Sequence, residues 1–249
     1  MKRALLLTLA SLLFLVPVAR AGGVNISWDR CWLDGGVTNR NFACGTNTGS
    51  DLVFGSFTLT DPMPRLKGIQ ATLDIRANST SLPNWWQFYN VGSCRQTALG
   101  VAFDFRGYAG SRCADPWAGL ATGGITAYLT VGTTPPVPGG LANTARLVLA
   151  ATLPGTRSAA AGVEYHGFLL TLGRAKTVGV GSCSGCSVPV SVLLTEIRAD
   201  NEDAPGVYTS EYLTTALHSG CLTWQGATGV CGPTPVESGT WGMIKSLYR

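Results

Sequence analysis

Short apolar or β-branched runs recur along the chain at 52–60, 69–76, 99–105, 125–131, 145–152, 163–172 and 188–198, each closed by Gly, Pro, Asn or Asp. Runs of that length, punctuated in that way, predict β-strands. In Ile69-Gln-Ala-Thr-Leu-Asp-Ile-Arg76 the apolar positions 69, 71, 73 and 75 alternate with polar ones. Successive strand side chains point to opposite faces, so this is a strand with one buried face and one wet face. Val192-Leu-Leu194 and Leu147-Val-Leu149 are apolar on both faces, as expected of strands near the middle of two stacked sheets. Helix signals are sparse, because Gly is abundant at 32 residues and few windows join a cap to a 3.6-residue period. The stretch from Ser210 to Gly220 reads either as one or two helical turns, with Ser210 as cap, or as a strand.

The pattern predicts an all-β protein, a single antiparallel β-sandwich of Ig-like or jelly-roll type over residues 22–235. Thr133-Thr-Pro-Pro-Val-Pro-Gly-Gly140 is the clearest break in composition. A long surface loop is the favoured reading, since neither half shows a full strand set of its own. Two smaller sandwiches split near 133–140 are the alternative.

The N-terminus sets the compartment. Lys2 and Arg3 precede an apolar run from Ala4 to Val16, then Pro17 and Ala19-Arg-Ala21. That is an export signal over residues 1–21 with an A-x-A cleavage site. The run is shorter than the roughly 20 residues a spanning helix needs, and no later stretch comes closer. Loss of Lys2, Arg3 and Arg20 leaves fifteen basic residues against fourteen acidic. So even a charge balance offers no stripe for phosphate backbones, and nucleic-acid binding is set aside. The expectation is a secreted or surface protein, with the periplasm an alternative address.

Eight cysteines lie beyond the signal: Cys31, Cys44, Cys94, Cys113, Cys183, Cys186, Cys221 and Cys231. An even number in an exported chain predicts disulfides. They fall as four close pairs, so pairing in sequence order is the economical expectation: 31 with 44, 94 with 113, 183 with 186, 221 with 231. Cys183-Ser-Gly-Cys186 also has the spacing of redox and zinc motifs. The next residues, Ser187-Val-Pro-Val-Ser-Val-Leu-Leu194, read as a strand and not as the helix N-terminus that would activate a thiol, which favours a turn-closing disulfide.

Candidate chemistry is thin. Glu164 and His166 share a face of one strand and are the best acid–base pair for a hydrolase, although two polar residues on a solvated face is the plainer reading. No G-x-S-x-G or H-E-x-x-H string is present. Asp200-Asn-Glu-Asp203 gathers Asp200, Glu202 and Asp203 in an expected turn, a weak candidate for calcium and otherwise a solvated turn. Trp85, Trp86, Phe88 and Tyr89 crowd together. Core packing is the ordinary use of such a run. A flat platform for sugar rings built from Trp85, Trp86 and Tyr89, with Trp117 nearby, is the alternative.

The tail Thr240-Trp-Gly-Met-Ile-Lys-Ser-Leu-Tyr-Arg249 is apolar and ends in positive charge. Together with the Cys-, Trp- and Asn-rich N-terminal part, it resembles uncharacterised exported bacterial proteins, some of which end in a similar Trp-Gly-x-x-Lys-x-Leu-Tyr-Arg string. The resemblance implies no known activity. A recurring terminal string suggests sorting or docking through residues 236–249, against the plainer reading of a last packed element. The expected function is a non-catalytic structural or adhesin-like surface module. A carbohydrate-binding module and a hydrolase are the alternatives.

Overall fold

The computed structural model describes residues 21–227 and Cys231. The expected export signal and C-terminal tail lie outside the described residues. Among the described residues eleven strands form two sheets, in chain order β1 (Gly23–Trp28), β2 (Asn39–Arg40), β3 (Ser50–Thr58), β4 (Met63–Ala77), β5 (Leu99–Ala102), β6 (Thr122–Leu129), β7 (Thr144–Ala159), β8 (Glu164–Gly173), β9 (Val190–Ala204), β10 (Val207–Leu213) and β11 (Cys221–Trp224). The four-stranded sheet runs β1-β3-β8-β5. The larger sheet runs β2-β11-β9-β4-β7-β6, with β10 on the free part of β9. Pairing is antiparallel except for β2 with β11. This is the β-sandwich the hydrophobic pattern predicts.

The alternating strand at 69–76 lies inside β4, which is paired on both sides, to β7 and to β9. Ala71 and Leu73 are buried in the core, whereas Asp74 on the other face takes a bidentate ion pair from Arg146. The segment 133–140 connects β6 to β7, and those two strands pair with each other. It is therefore a hairpin loop within one sheet. Residues 207–213 are strand β10, so the helical option for the start of the 210–220 stretch gives way to pairing with β9. The sequence pattern did not disclose β1, whose Val24, Ile26 and Trp28 alternate inward.

One end of the sandwich is filled with rings. Trp28, Phe42, Trp85, Trp86, Phe88 and Trp224 pack with centroid separations of 3.8 to 6.2 Å. Offset and edge-on pairs of this kind add to the area they bury.

The disulfides correct the expected pairing. Cys31 joins Cys113, Cys44 joins Cys186, and Cys94 joins Cys183. Only Cys221 with Cys231 keeps to sequence order. The strands carry distant loops to the same edge, where Cα separations of 6.4, 5.8 and 6.0 Å suit bridging. Cys183 and Cys186 do not close a turn on each other. They anchor the 174–189 loop to two other loops, and no cysteine among the described residues is free.

Candidate functional site

Strand alternation builds a polar layer on the outer face of the four-stranded sheet. In β1, Asn25 and Ser27 point away from the core; in β3, so do Ser56 and Thr58; in β8, so do Glu164 and His166. The register places Asn25 opposite Ser56, Ser56 opposite His166, and Thr58 opposite Glu164. All six are buried. Sequence reasoning put Glu164 and His166 together on one face, and that face is not solvated. It is roofed by the loops at 29–38 and 103–121, held together by Cys31–Cys113.

Phe54, Phe105 and Tyr108 carry the roof. Phe105 stacks on the His166 imidazole at 4.2 Å and 11°, and Tyr108 meets Phe54 edge-on at 5.1 Å. Between the loops lies an open groove of about 770 Å³, with Phe54, Tyr108 and His166 at its base and Arg30, Asp34, Ser111 and Arg112 along its walls.

The proton positions in this groove are set by the bonding. Ser111 Oγ donates to Asp34 Oδ2 and accepts the Cys113 amide proton at 3.1 Å. Asp34 Oδ1 accepts the Arg112 amide proton at 2.8 Å. Burial tends to raise the Asp34 pKa, but the bonds from Ser111 and Arg112 outweigh it and hold the carboxyl below its ordinary value. Asp34 is thus an ionised acceptor at neutral pH, and the single Ser111 hydroxyl proton is directed at it. His166 Nε2, 3.0 Å from the same oxygen, must then be a donor. Its Nδ1 is buried without a partner among the described residues. Burial lowers the His166 pKa, and the Asp115 and Asp34 carboxylates offset this only in part. The neutral Nε2–H tautomer results.

No family model and no curated protein matches this chain.

Glu164 and His166 serve different cavities on this face. Glu164 Oε1 accepts from Asn25 Nδ2 at 3.0 Å and from Ser56 Oγ, and the residue lines a separate cavity of about 290 Å³ with Leu33, Thr58, Leu217 and His218. His166 lines the groove. The pair shares a strand face but no hydrogen bond.

Trp85 and Trp86 are fully buried, which corrects the sugar-platform alternative at those positions. A short 3-10 turn at Asn84–Trp86 folds both indoles inward, and Trp85 Nε1 donates to Thr177 Oγ1 at 3.0 Å. Trp117 is buried as well, its indole N–H donating to the His166 carbonyl. Tyr89 is half-exposed and donates its hydroxyl to the Ile125 carbonyl.

Asp200, Glu202 and Asp203 sit on β9 and not in a turn. Arg198 and Ser210 bond to Asp200, the Arg65 and Lys67 cations lie at 3.6 and 3.9 Å from Glu202, and Asn201 donates to Asp203. Strand alternation sends Asp203 to the opposite face from the other two. This corrects the calcium candidate, since its carboxylates diverge toward separate partners. Among the described residues the grouping with metal-ligand proximity is Cys31, Cys113 and Glu164, in which both sulfurs are already bonded to each other.

Sequence reasoning missed Arg30, Asp34, Tyr108, Ser111 and Arg112. The available signal was their closeness to Cys31 and Cys113, which sequence-order pairing sent to different partners.

Proposed function

We propose that this protein is an exported, non-catalytic binding module of adhesin-like type, which takes a saccharide in the groove between the 29–35 and 104–112 loops. The supporting observation is the direction of the Ser111 proton. A serine nucleophile has to give its proton to a base. Here the Ser111 hydroxyl is directed at the ionised Asp34 and His166 donates to Ser111 instead of accepting from it, so the serine–histidine relay of a nucleophilic serine is not set up.

The rest of the groove suits recognition. Tyr108 offers an aromatic face, and the Arg30 guanidinium has no side-chain partner among the described residues. Arg112 spends one nitrogen on the Leu33 carbonyl and keeps further donors. Aromatic surface beside a few placed polar groups is the usual make-up of a small-ligand site. Four disulfides fit an oxidising address outside the cytoplasm, whether secreted, surface-bound or periplasmic.

The test is retention on a panel of immobilised polysaccharides, with reducing-end release monitored in parallel. Binding without release is expected, weakened about tenfold by Tyr108→Ala or Arg30→Gln with the fold intact. The convergence of Asp34, Ser111 and His166 favours a second reading, a hydrolase. Turnover abolished by Ser111→Ala would establish that one and overturn the first.

A further inference from the structure

Glu164 is a carboxylate with 7% of its surface exposed and no lysine or arginine paired with it among the described residues, although His218 lines the same cavity. Its bonded neighbours are the neutral Asn25 amide and Ser56 hydroxyl, both on Oε1. No hydrogen bond from the described residues reaches Oε2. A buried carboxylate without a counter-charge loses hydration that neutral donors replace only in part. This one lines a cavity of about 290 Å³.

We propose that this cavity is a subsite for a primary ammonium group, with Glu164 Oε2 as its acceptor. The chemistry of the donors selects among cations. A hard metal ion wants six or more oxygens. A zinc ion wants thiolates, and Cys31 and Cys113 are consumed in their disulfide. A guanidinium prefers both carboxylate oxygens in a fork, and Asn25 and Ser56 already occupy one of them. An ammonium needs a single strong acceptor and can turn its remaining protons to neighbours such as Thr58, which faces the same cavity. Leu33 and Leu217 supply apolar wall for the attached carbon skeleton. The amine can belong to an amino sugar or to a small alkylamine. The subsite shares Leu33 with the groove but uses neither Tyr108 nor Arg30, so variants at those two residues test the groove without touching it.

The test is thermal unfolding and calorimetric titration of the purified protein with glucosamine, N-acetylglucosamine and ethylammonium at fixed ionic strength. Saturable binding of glucosamine and ethylammonium is expected, with none for the acetylated sugar. Glucosamine alone would mark an amino-sugar site, and both amines a general ammonium site; each supports the proposal. Glu164→Gln, which keeps the Oε1 acceptor, is expected to weaken amine binding about ten- to a hundredfold. Leu217→Trp, which fills the cavity and spares the carboxylate, should block it too and serves if Glu164→Gln does not fold. Equal binding of the acetylated sugar, unchanged binding by the variant that folds, or no amine binding by the parent protein would overturn the assignment.

Discussion

The guanidinium of Arg95 lies 3.5 Å above the ring of Trp85, deep inside the protein. Its nitrogens donate to the carbonyls of Trp85, Gly173 and Ala175. Burial pulls its pKa down to about 10, with the Asp51 carboxylate acting in the opposite sense, so it remains charged at neutral pH. The stacking explains why a run that looks like an exposed platform is interior: the indole covers a cation that ties three backbone segments together.

Arg95→Met should therefore cost about 3 kcal/mol, because one buried and two partly buried carbonyls lose their donor along with the cation–π contact. Arg95→Lys keeps the charge but not the fork, and about 1 to 3 kcal/mol is expected. Urea midpoints at constant m-value measure both.

The cross-links should differ in weight. Loop-closure entropy gives about 5 kcal/mol for Cys44–Cys186, which spans 142 residues, against about 2.7 kcal/mol for Cys221–Cys231, which spans 10. Replacing each pair by alanine should give unfolding free energies ordered in that way. Peptide mapping without reduction should recover 31–113, 44–186 and 94–183 as linked fragments.

Acid should weaken the protein in two windows. The folded His166 pKa lies below its unfolded value of about 6.5, so its contribution is intact above that pH and is lost as the pH falls toward the folded pKa. Asp34 is also depressed, from 3.8, and its contribution disappears only at lower pH, through its folded pKa. His166→Gln should flatten the upper window and leave most of the lower one, because the bonds from Ser111 and Arg112 weigh more in the Asp34 depression than the His166 charge does. Denaturant midpoints across pH 3 to 8 would show this.

Gly55→Ala drives a methyl group into the ring of Phe168, which has no free surface. Such overpacking costs about 1 to 3 kcal/mol. Recovery of part of the loss by Gly55→Ala combined with Phe168→Leu would locate the strain in that contact.

The strands were legible because their signal is local. Residues 69–76 alternate, and a partner on either side is then the natural outcome for β4. The 163–172 run carried Glu164 and His166 to one face for the same reason. The loops were not legible, because their neighbours are set by strand order. Cys31 and Cys113 are 82 residues apart in sequence, and nothing near either names the other. The groove was hidden with them: Asp34 and Ser111 meet only after β1, β3 and β8 have stacked. β1 was overlooked since Asn25 and Ser27 dilute its hydrophobicity, and those are the residues that bond inside the roofed polar layer.

The 174–189 loop imposes an order on maturation. A chain that oxidised as it emerged, N-terminus first, would join nearest thiols and trap Cys31 with Cys44 and Cys94 with Cys113. The native set leaves Cys44 and Cys94 waiting until residues 183 and 186 arrive. Recovery of the native set therefore calls for a catalyst that reopens premature links, and expression without a disulfide isomerase should yield scrambled protein.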